Sequence, residues 1–307
     1  MTDRPAIVVR LQRFDDDPFG PVPAAAPLRL WTVWAMIPVA AAVAAAVAAT
    51  TLGVLFYPVA RRLLATTSGP AAAVRSLLAQ PAGYLAAALG ACLSFAGCAL
   101  LAATFSPTSR SLRERLRLHE PPRWALVGLS GAAAMIGVGR LGNSLRAALG
   151  AFGEGPVGVM RQEFTGTSPE LAVLGVLIVG VGGGVGEELL LRGYLQTRIE
   201  QRYAPWRADV VVASLSAAAF GEPWHAAASF GCGLLLGWVA RRAGTILSSM
   251  TAHVLSGSFW MAMMSVGGAG RGAWHHDGGV VGFAVGAVLV GGGVAGVWAL
   301  TRRSRVG

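Results

Sequence analysis

Two adjacent glutamates and an arginine interrupt an otherwise apolar stretch of the chain. Glu187, Glu188 and Arg192 lie in the run VGGGVGEELLLRGYL. Charged side chains inside a membrane are costly unless they are paired, so their default interpretation is functional. In a helix, Glu188 and Arg192 are four residues apart and can form an ion pair, whereas Glu187 points about 100° away. The spacing predicts that Arg192 neutralises Glu188 and that Glu187 is the carboxylate able to take a proton.

Two histidines complete the set of ionisable residues in apolar surroundings. His225 lies in the run SAAAFGEPWHAA, at the end of the fifth predicted membrane span, and His253 lies in SSMTAHVLSG, within the seventh. Either histidine alone is more often a satisfied polar residue than a catalyst. On separate helices of a bundle, however, they can converge with Glu187 and supply a general base and hydrogen-bond donors. The combination predicts a catalytic site more strongly than any one member does.

Other chemistries can be compared with the same residues. Glu187, His225 and His253 would provide the three protein ligands of a catalytic zinc, which stays open as an alternative. The sequence contains no His-Glu-x-x-His run and no Gly-x-Ser-x-Gly run, so the common zinc-protease and serine-hydrolase motifs are excluded. A transporter that relays protons through buried carboxylates is a third interpretation.

The elements that must position these residues are predicted to be transmembrane helices. Of the 307 residues, 54 % are hydrophobic and 13 % are charged, against ~25 % charged residues in soluble domains. Eight stretches without charge can cross a hydrocarbon core of ~30 Å, at ~1.5 Å per residue, some with the help of flanking residues. They are residues 30–60, 76–109, 124–139, 171–186, 210–221, 223–240, 243–270 and 278–301. We therefore expect an all-α, polytopic transmembrane helix bundle of about eight spans.

The distribution of arginine orients this bundle. All 25 basic residues are arginine, and 18 of them fall on the cytoplasmic side if both termini are cytoplasmic, as the positive-inside rule requires. The net charge of +10 then faces anionic lipid headgroups, and no nucleic-acid partner is expected. The three cysteines lie in apolar stretches, which argues against a disulfide framework or a metal cluster.

The chain divides into four predicted parts. Residues 1–29 form a cytoplasmic segment, and residues 30–170 form a first transmembrane part with amphipathic loops. Residues 171–266 form the transmembrane core that carries the motifs, and residues 267–307 hold the last loop, the final span and a basic tail. Counted along ideal helices from the cytoplasmic surface, Glu187, His225 and His253 lie ~20, ~30 and ~15 Å deep. They share a level only if helices tilt or break near Gly221 and Pro223.

The order and spacing of these motifs resemble the CPBP intramembrane proteases, which include the type II CAAX prenyl proteases and the bacterial Abi proteins. The first family motif, two glutamates followed by three residues and an arginine, is matched by Glu187, Glu188 and Arg192. The third motif region, a Gly-Leu-rich helix, a turn and a histidine-bearing helix, is matched by GLLLGWVARRAGTILSSMTAH, which ends at His253. The resemblance covers about residues 171–260.

Two positions depart from the family pattern. The second family motif has phenylalanine four residues before its histidine, whereas Phe220 stands five residues before His225. The third motif usually has asparagine four residues after its histidine, and Gly257 occupies that position. Ser256 or Ser258 could replace the missing hydrogen-bond donor.

The resemblance implies an intramembrane endopeptidase that needs no metal or other cofactor. Glu187 and His225 would activate water, His253 would stabilise the oxyanion, and Glu188 and Arg192 would support the site; no substrate-binding residue is assigned. The implied partners are membrane lipids and a membrane-associated protein or peptide substrate, of which prenylated CAAX proteins are one class. The implied location is a cell membrane, of the bacterial inner-membrane type. The alternative is a catalytically weak or inactive CPBP-like membrane protein that acts in immunity or as a scaffold.

Overall fold

The computed structural model describes residues 40–41, 43–45, 47–48, 51, 80–105, 111–148, 164–201, 203–218, 223–266 and 280–302. All regular structure in these ranges is helical. The predicted cytoplasmic segment 1–29, most of the first predicted span, the last loop 267–279 and the tail after Arg302 lie outside the described residues. The departure at Phe220 and the expected break near Gly221 also lie outside them.

The helices of the described residues are numbered here in chain order. They are α1 (Pro81–Thr104), α2 (Leu112–Arg115), α3 (Trp124–Ala148), α4 (Pro169–Glu200), α5 (Pro205–Ala218), α6 (Pro223–Ala243), α7 (Ile246–Val266) and α8 (Val280–Arg302). Proline stands at the first position of α1, α4, α5 and α6, where its missing N–H would have no partner in the helix anyway. The helix boundaries thus follow local sequence signals.

Four of these helices are long and apolar enough to cross a membrane: α1, α4, α8 and residues Trp124–Leu145 of α3. α1 and α8 contain 24 and 23 residues and are therefore ~35 Å long, more than the ~30 Å of a hydrocarbon core. α5 has 14 residues and reaches only ~21 Å. The described residues therefore support a multi-pass helical membrane protein, and the count of eight spans stays a prediction.

α4 is packed at the centre of the largest apolar cluster. Its second half presents Leu189, Leu190, Tyr194 and Leu195 to small residues of α1 and to apolar residues of α5 and α7. Small residues in α1 let the two helices approach closely, as is common where lipid provides no hydrophobic driving force. This packing fixes the helix that carries both glutamates.

A second tight contact joins α3 to α8 through glycine. A Cβ atom on Gly293 would lie 2.5 Å from the Ser130 carbonyl oxygen and 2.6 Å from the Ala134 nitrogen. A Cβ atom on Gly137 would lie 2.7 Å from the Gly286 carbonyl oxygen. The two backbones therefore touch at positions where only glycine fits.

The segment between α1 and α3 caps the ends of several helices. Arg115 donates to the Ala103 carbonyl at the end of α1, and the Thr245 hydroxyl lies 2.9 Å from the Arg117 carbonyl and 2.7 Å from the His119 carbonyl. Partial burial, together with the charges of Arg117 and Arg113, lowers the pKa of His119. The segment between α1 and α3 is thus fixed against the turn between α6 and α7.

Candidate active site

α4 departs from regular α-helical geometry on both sides of the two glutamates. Gly184–Glu188 form an α-helical turn between two π-helical segments, Val176–Gly183 and Leu189–Gln196. π-helical insertions in α-helices are frequent at functional sites because they shift the direction of the side chains. Glu187 and Glu188 stand at the end of the regular turn, where this shift begins.

Glu188 lies at the centre of a buried network. Its Oε1 accepts a hydrogen bond from Arg192 Nη1 at 2.8 Å and lies 3.1 Å from His253 Nδ1. The side chains of Glu188 and Arg192 are 0 % and 1 % exposed, and Arg192 Nη2 also donates to the Gly233 carbonyl at 3.1 Å. The ion pair that the four-residue spacing predicts is therefore present. The contact with His253, which is 65 residues away in sequence, is a finding of the structure.

Glu187 lies beside this network with a different environment. Its side chain is partly exposed, and it forms no hydrogen bond or ion pair with the residues that the structure describes. Its charge interacts with His253 and with Cys92 and Tyr84 of α1. Since Glu188 is occupied by Arg192 and His253, Glu187 is the carboxylate of the pair that can take a proton from a bound molecule.

His253 is oriented by Glu188. A carboxylate accepts hydrogen bonds, so the contact places a proton on Nδ1 of the imidazole. The other ring nitrogen, Nε2, then donates a hydrogen bond only when the ring is positively charged and accepts one when it is neutral. The side chain is 21 % exposed, so a bound molecule can reach the ring.

His225 lies in the first turn of α6, half-buried, and not at the end of the fifth span as predicted. Pro223 begins a new helix because its fixed φ angle suits a first helical position. α4 and α6 run parallel, since Arg192 contacts Gly233 and Gln196 contacts Gly237. From this contact His225 lies eight residues up α6, ~12 Å, and Glu187 five residues up α4, ~7.5 Å. The difference in level between Glu187 and His225 is thus ~4.5 Å, less than one helical turn, against the ~10 Å predicted from the sequence.

The position of the usual asparagine is a close helix contact. A Cβ atom on Gly257 would lie 3.3 Å from the Gly180 Cα atom and 3.5 Å from its carbonyl oxygen. A Cβ atom on Gly180 would lie 2.8 Å from the Ser258 Cα atom. Here α4 and α7 meet backbone to backbone, so a longer side chain at 257 would force them apart.

The two serines near His253 have other contacts. The Ser256 hydroxyl is buried and lies 3.1 Å from the His253 carbonyl and 3.5 Å from Met135 Sδ, and Ser258 packs against Gly180. Ser249, one turn before His253, is fully buried next to Glu188 and lies 3.0 Å from the Ile246 carbonyl. A hydroxyl group donates one hydrogen bond at a time. The His253 carbonyl of the same helix is within hydrogen-bond distance of the Ser256 hydroxyl and can accept that bond.

The glycines before Glu187 mostly serve packing. A Cβ atom on Gly184 would lie 2.8 Å from the Val254 nitrogen, and one on Gly186 would lie 2.7 Å from the Cys92 carbonyl oxygen. Gly183 differs, because a Cβ atom there would meet nothing within 4 Å. Gly183 is one turn before Glu187, so open space adjoins the catalytic candidate along α4.

Two buried polar residues next to the site, Gln196 of α4 and Asp209 of α5, are not among the candidate residues that the sequence predicted. Gln196 and Asp209 are buried and hydrogen-bonded to each other at 3.0 Å. The available signal was the spacing, since Glu188, Arg192, Gln196 and Glu200 follow one another at intervals of four residues. Among the described residues, no group of three His, Cys, Asp or Glu side chains is arranged to hold a metal ion.

Comparison with known families finds a match over the segment that carries the candidate residues. Residues 169–259 match the family described as type II CAAX prenyl endopeptidase Rce1-like, which extends from the start of α4 into α7. This match confirms the resemblance to the CPBP proteases over the segment that carries all five candidate residues. Comparisons with curated proteins and with solved structures find no match.

Proposed function

We propose that this chain, whose motif-bearing segment matches a family of CAAX prenyl endopeptidases, is an intramembrane endopeptidase of the glutamic type. One observation carries the proposal: Glu188 is held by Arg192 and His253, while the adjacent Glu187 is partly exposed and borders open space at Gly183. Two neighbouring carboxylates thus have opposite environments. This arrangement suits one structural carboxylate and one general base.

The proposed reaction is a direct attack of water on a peptide carbonyl. Glu187 accepts a proton from water as the water oxygen bonds to the carbonyl carbon, and His225 helps to orient that water. The carbonyl oxygen becomes negative and accepts a hydrogen bond from His253 Nε2–H in its charged form. When the C–N bond breaks, Glu187 returns its proton to the leaving nitrogen. The products are a carboxylic acid and an amine, which exchange a proton in water to give a carboxylate and an ammonium group. No metal or other cofactor takes part.

The proposed substrate is a membrane-associated protein or peptide. It enters a water-filled cavity from the cytoplasm or laterally from lipid. Such a cavity is needed because hydrolysis requires water, which the hydrocarbon core excludes. The chain would act in a cell membrane, of the bacterial inner-membrane type, with its arginines against anionic lipid and without nucleic acid. Prenylated CAAX segments are the first class to test, since the matched family is named for them.

The proposal is tested by hydrolysis in labelled water. Purified protein in detergent or liposomes is incubated in H₂¹⁸O with prenylated and non-prenylated membrane peptides, and the products are analysed by mass spectrometry. We expect one ¹⁸O atom in the new carboxylate and the same rate after treatment with a metal chelator. Loss of the activity on chelation, with recovery on addition of zinc, would support the zinc alternative. No hydrolysis of any peptide would contradict the proposal.

A second candidate function is favoured by the contact at Gly257. The chain lacks the asparagine donor, and the close approach of Gly180 leaves little room to add one. Losing one oxyanion donor typically lowers the rate ~10²- to 10³-fold. A catalytically weak or inactive membrane protein, acting in immunity or as a scaffold, would keep this architecture without turnover. A cellular phenotype that survives Glu187→Ala would favour it.

A further inference from the structure

α4 continues beyond the candidate site as a line of buried polar side chains. Arg192 and Gln196 are 1 % and 0 % exposed, although the surroundings of α4 are apolar. Gln196 Nε2 lies 3.0 Å from Glu200 Oε1, 3.0 Å from Asp209 Oδ1 and 3.3 Å from the Gly237 carbonyl oxygen. Burying such an amide is unfavourable unless its hydrogen bonds are made. The two amide hydrogens are shared among these three acceptors, and Gln196 Oε1 has no hydrogen-bond partner among the described residues. The contacts of Gln196 are therefore made through its amide nitrogen.

The acceptors of Gln196 are themselves fixed by arginines from other parts of the chain. Asp209 forms an ion pair with Arg241 of α6, and Glu200 forms an ion pair with Arg117 at 2.7 Å. Gln196 therefore joins α4 to α5, to α6 and to the segment before α3 at one point.

Glycines in α6 make the contact with α4 and α5 possible. The carbonyl groups of Gly233 and Gly237 accept hydrogen bonds from Arg192 and Gln196. A Cβ atom on Gly237 would lie 2.8 Å from Asp209 Oδ1 and 3.3 Å from Gln196 Oε1. Two adjacent turns of α4 are thus bonded to two adjacent turns of α6, which sets the register of the two helices. We call this contact, formed by Arg192, Gln196, Asp209, Gly233 and Gly237, the α4–α6 clamp.

The clamp controls the site because of what each helix carries beyond it. From the clamp, α4 leads to Glu187 and α6 leads to His225, in the same direction and at levels ~5 Å apart by helical rise. A slip or rotation of one helix at the clamp would move one of these side chains relative to the other.

We propose that Gln196 is a positioning residue for peptide hydrolysis, because its amide holds α4 and α6 in the register at which Glu187 and His225 act on one water molecule. This inference rests on the proposed function. Misplacement of a catalytic group by about 1 Å can cost about 10²-fold in rate. Disrupting the clamp should therefore lower kcat while leaving KM unchanged, since Gln196 is buried below the site and contacts no substrate.

The test compares two variants of the clamp with a matched glycine control. Gln196→Leu removes the amide at similar size, and Gly237→Ala puts a Cβ atom into the clamp. Gly293→Ala, the control, puts a Cβ atom into the equally tight contact between α3 and α8. Genetically encoded spin labels at the exposed positions Leu177 of α4 and Ala227 of α6 report the distance between these helices, and kcat is measured per folded molecule.

We expect Gln196→Leu and Gly237→Ala to shift or broaden the distance and to lower kcat about 10- to 100-fold, with KM unchanged. Gly293→Ala should lower the unfolding temperature and leave distance and kcat as in the original chain. An unchanged distance in both clamp variants would overturn the proposal, as would a changed distance with unchanged kcat. If the original chain hydrolyses nothing but the distance responds, the proposed function fails while the clamp itself stands.

Discussion

Glu188 shows how one buried carboxylate can define the role of its neighbour. Its Oε1 is shared by Arg192 and His253, and its side chain has no exposed surface. A buried charge that loses its partner is strongly unfavourable, whereas the complete pair contributes little net stability. In the proposed mechanism, the network fixes His253 and keeps Glu188 out of the proton transfer.

Replacing Arg192 tests the pairing. Arg192→Ala leaves Glu188 buried beside His253 alone, which should cost about 3 to 5 kcal/mol. We expect loss of folded protein before any loss of chemistry, measured by thermal unfolding in detergent. Arg192→Lys keeps a positive charge and should lose less stability. A stable and fully active Arg192→Ala protein would refute the assigned role.

Replacing Gly257 tests the missing donor. Because the backbone of Gly180 lies 3.3 Å from the Cβ position, Gly257→Asn should separate α4 from α7 and lower the unfolding temperature without raising turnover. Gly291→Ala in α8, where a Cβ atom meets nothing within 4 Å, is the control for adding a side chain to helix glycine. A folded Gly257→Asn protein with higher turnover would show instead that the position is a vacant donor site.

Some contacts of single residues could be predicted from the sequence, and others could not. The pair of Glu188 and Arg192 was predictable, since helix geometry alone brings together residues four apart. The contacts of Glu188 with His253 and of Gly257 with Gly180 were not, because they depend on how α4 and α7 pack. Gly257 occupies the position of the family's asparagine, and the structure shows that it packs against Gly180.

At the scale of elements, charge-free stretches predicted most helices because a membrane span must be apolar and long. α1, α3, α4, α5, α6, α7 and α8 each overlap a predicted span. His225 was placed at the end of the fifth span, whereas Pro223, two residues before it, begins α6 and puts His225 in the first turn of that helix. Counting residues along a helix gives neither its tilt nor its register with a neighbouring helix. This is why the depths predicted for Glu187 and His225 differ by more than the structure shows.

The turn between α6 and α7 gives a prediction at this scale. Gly244 has φ of +72°, a conformation that costs other residues about 1 to 2 kcal/mol. Gly244→Ala should therefore lower the free energy of unfolding by about 1 kcal/mol and weaken the contact of Thr245 with the segment before α3. The helical Gly291→Ala should instead be neutral or stabilising by up to ~1 kcal/mol. Equal effects of the two changes on denaturation would contradict this account.

For the whole molecule, the described helices and the family match indicate a multi-pass membrane protein with its site inside the helical bundle. The predicted orientation rests on arginine alone: 18 of the 25 lie on one side if there are eight spans and both termini are cytoplasmic. Reporter proteins that are active on only one side of the membrane, fused at Met1 and at Gly307, should both report the cytoplasm. A terminus on the other side would require an odd number of spans.

The most direct test of the account compares Glu187→Gln with Glu188→Gln. Glutamine keeps the size of each side chain but cannot act as a general base. We predict that Glu187→Gln unfolds at the original temperature and loses hydrolysis by about 10²- to 10⁴-fold. Glu188→Gln, which leaves Arg192 buried without its counter-charge, should lose stability instead. A Glu187→Gln protein that cleaves its substrate at the original rate would contradict the central claim that Glu187 is the catalytic base.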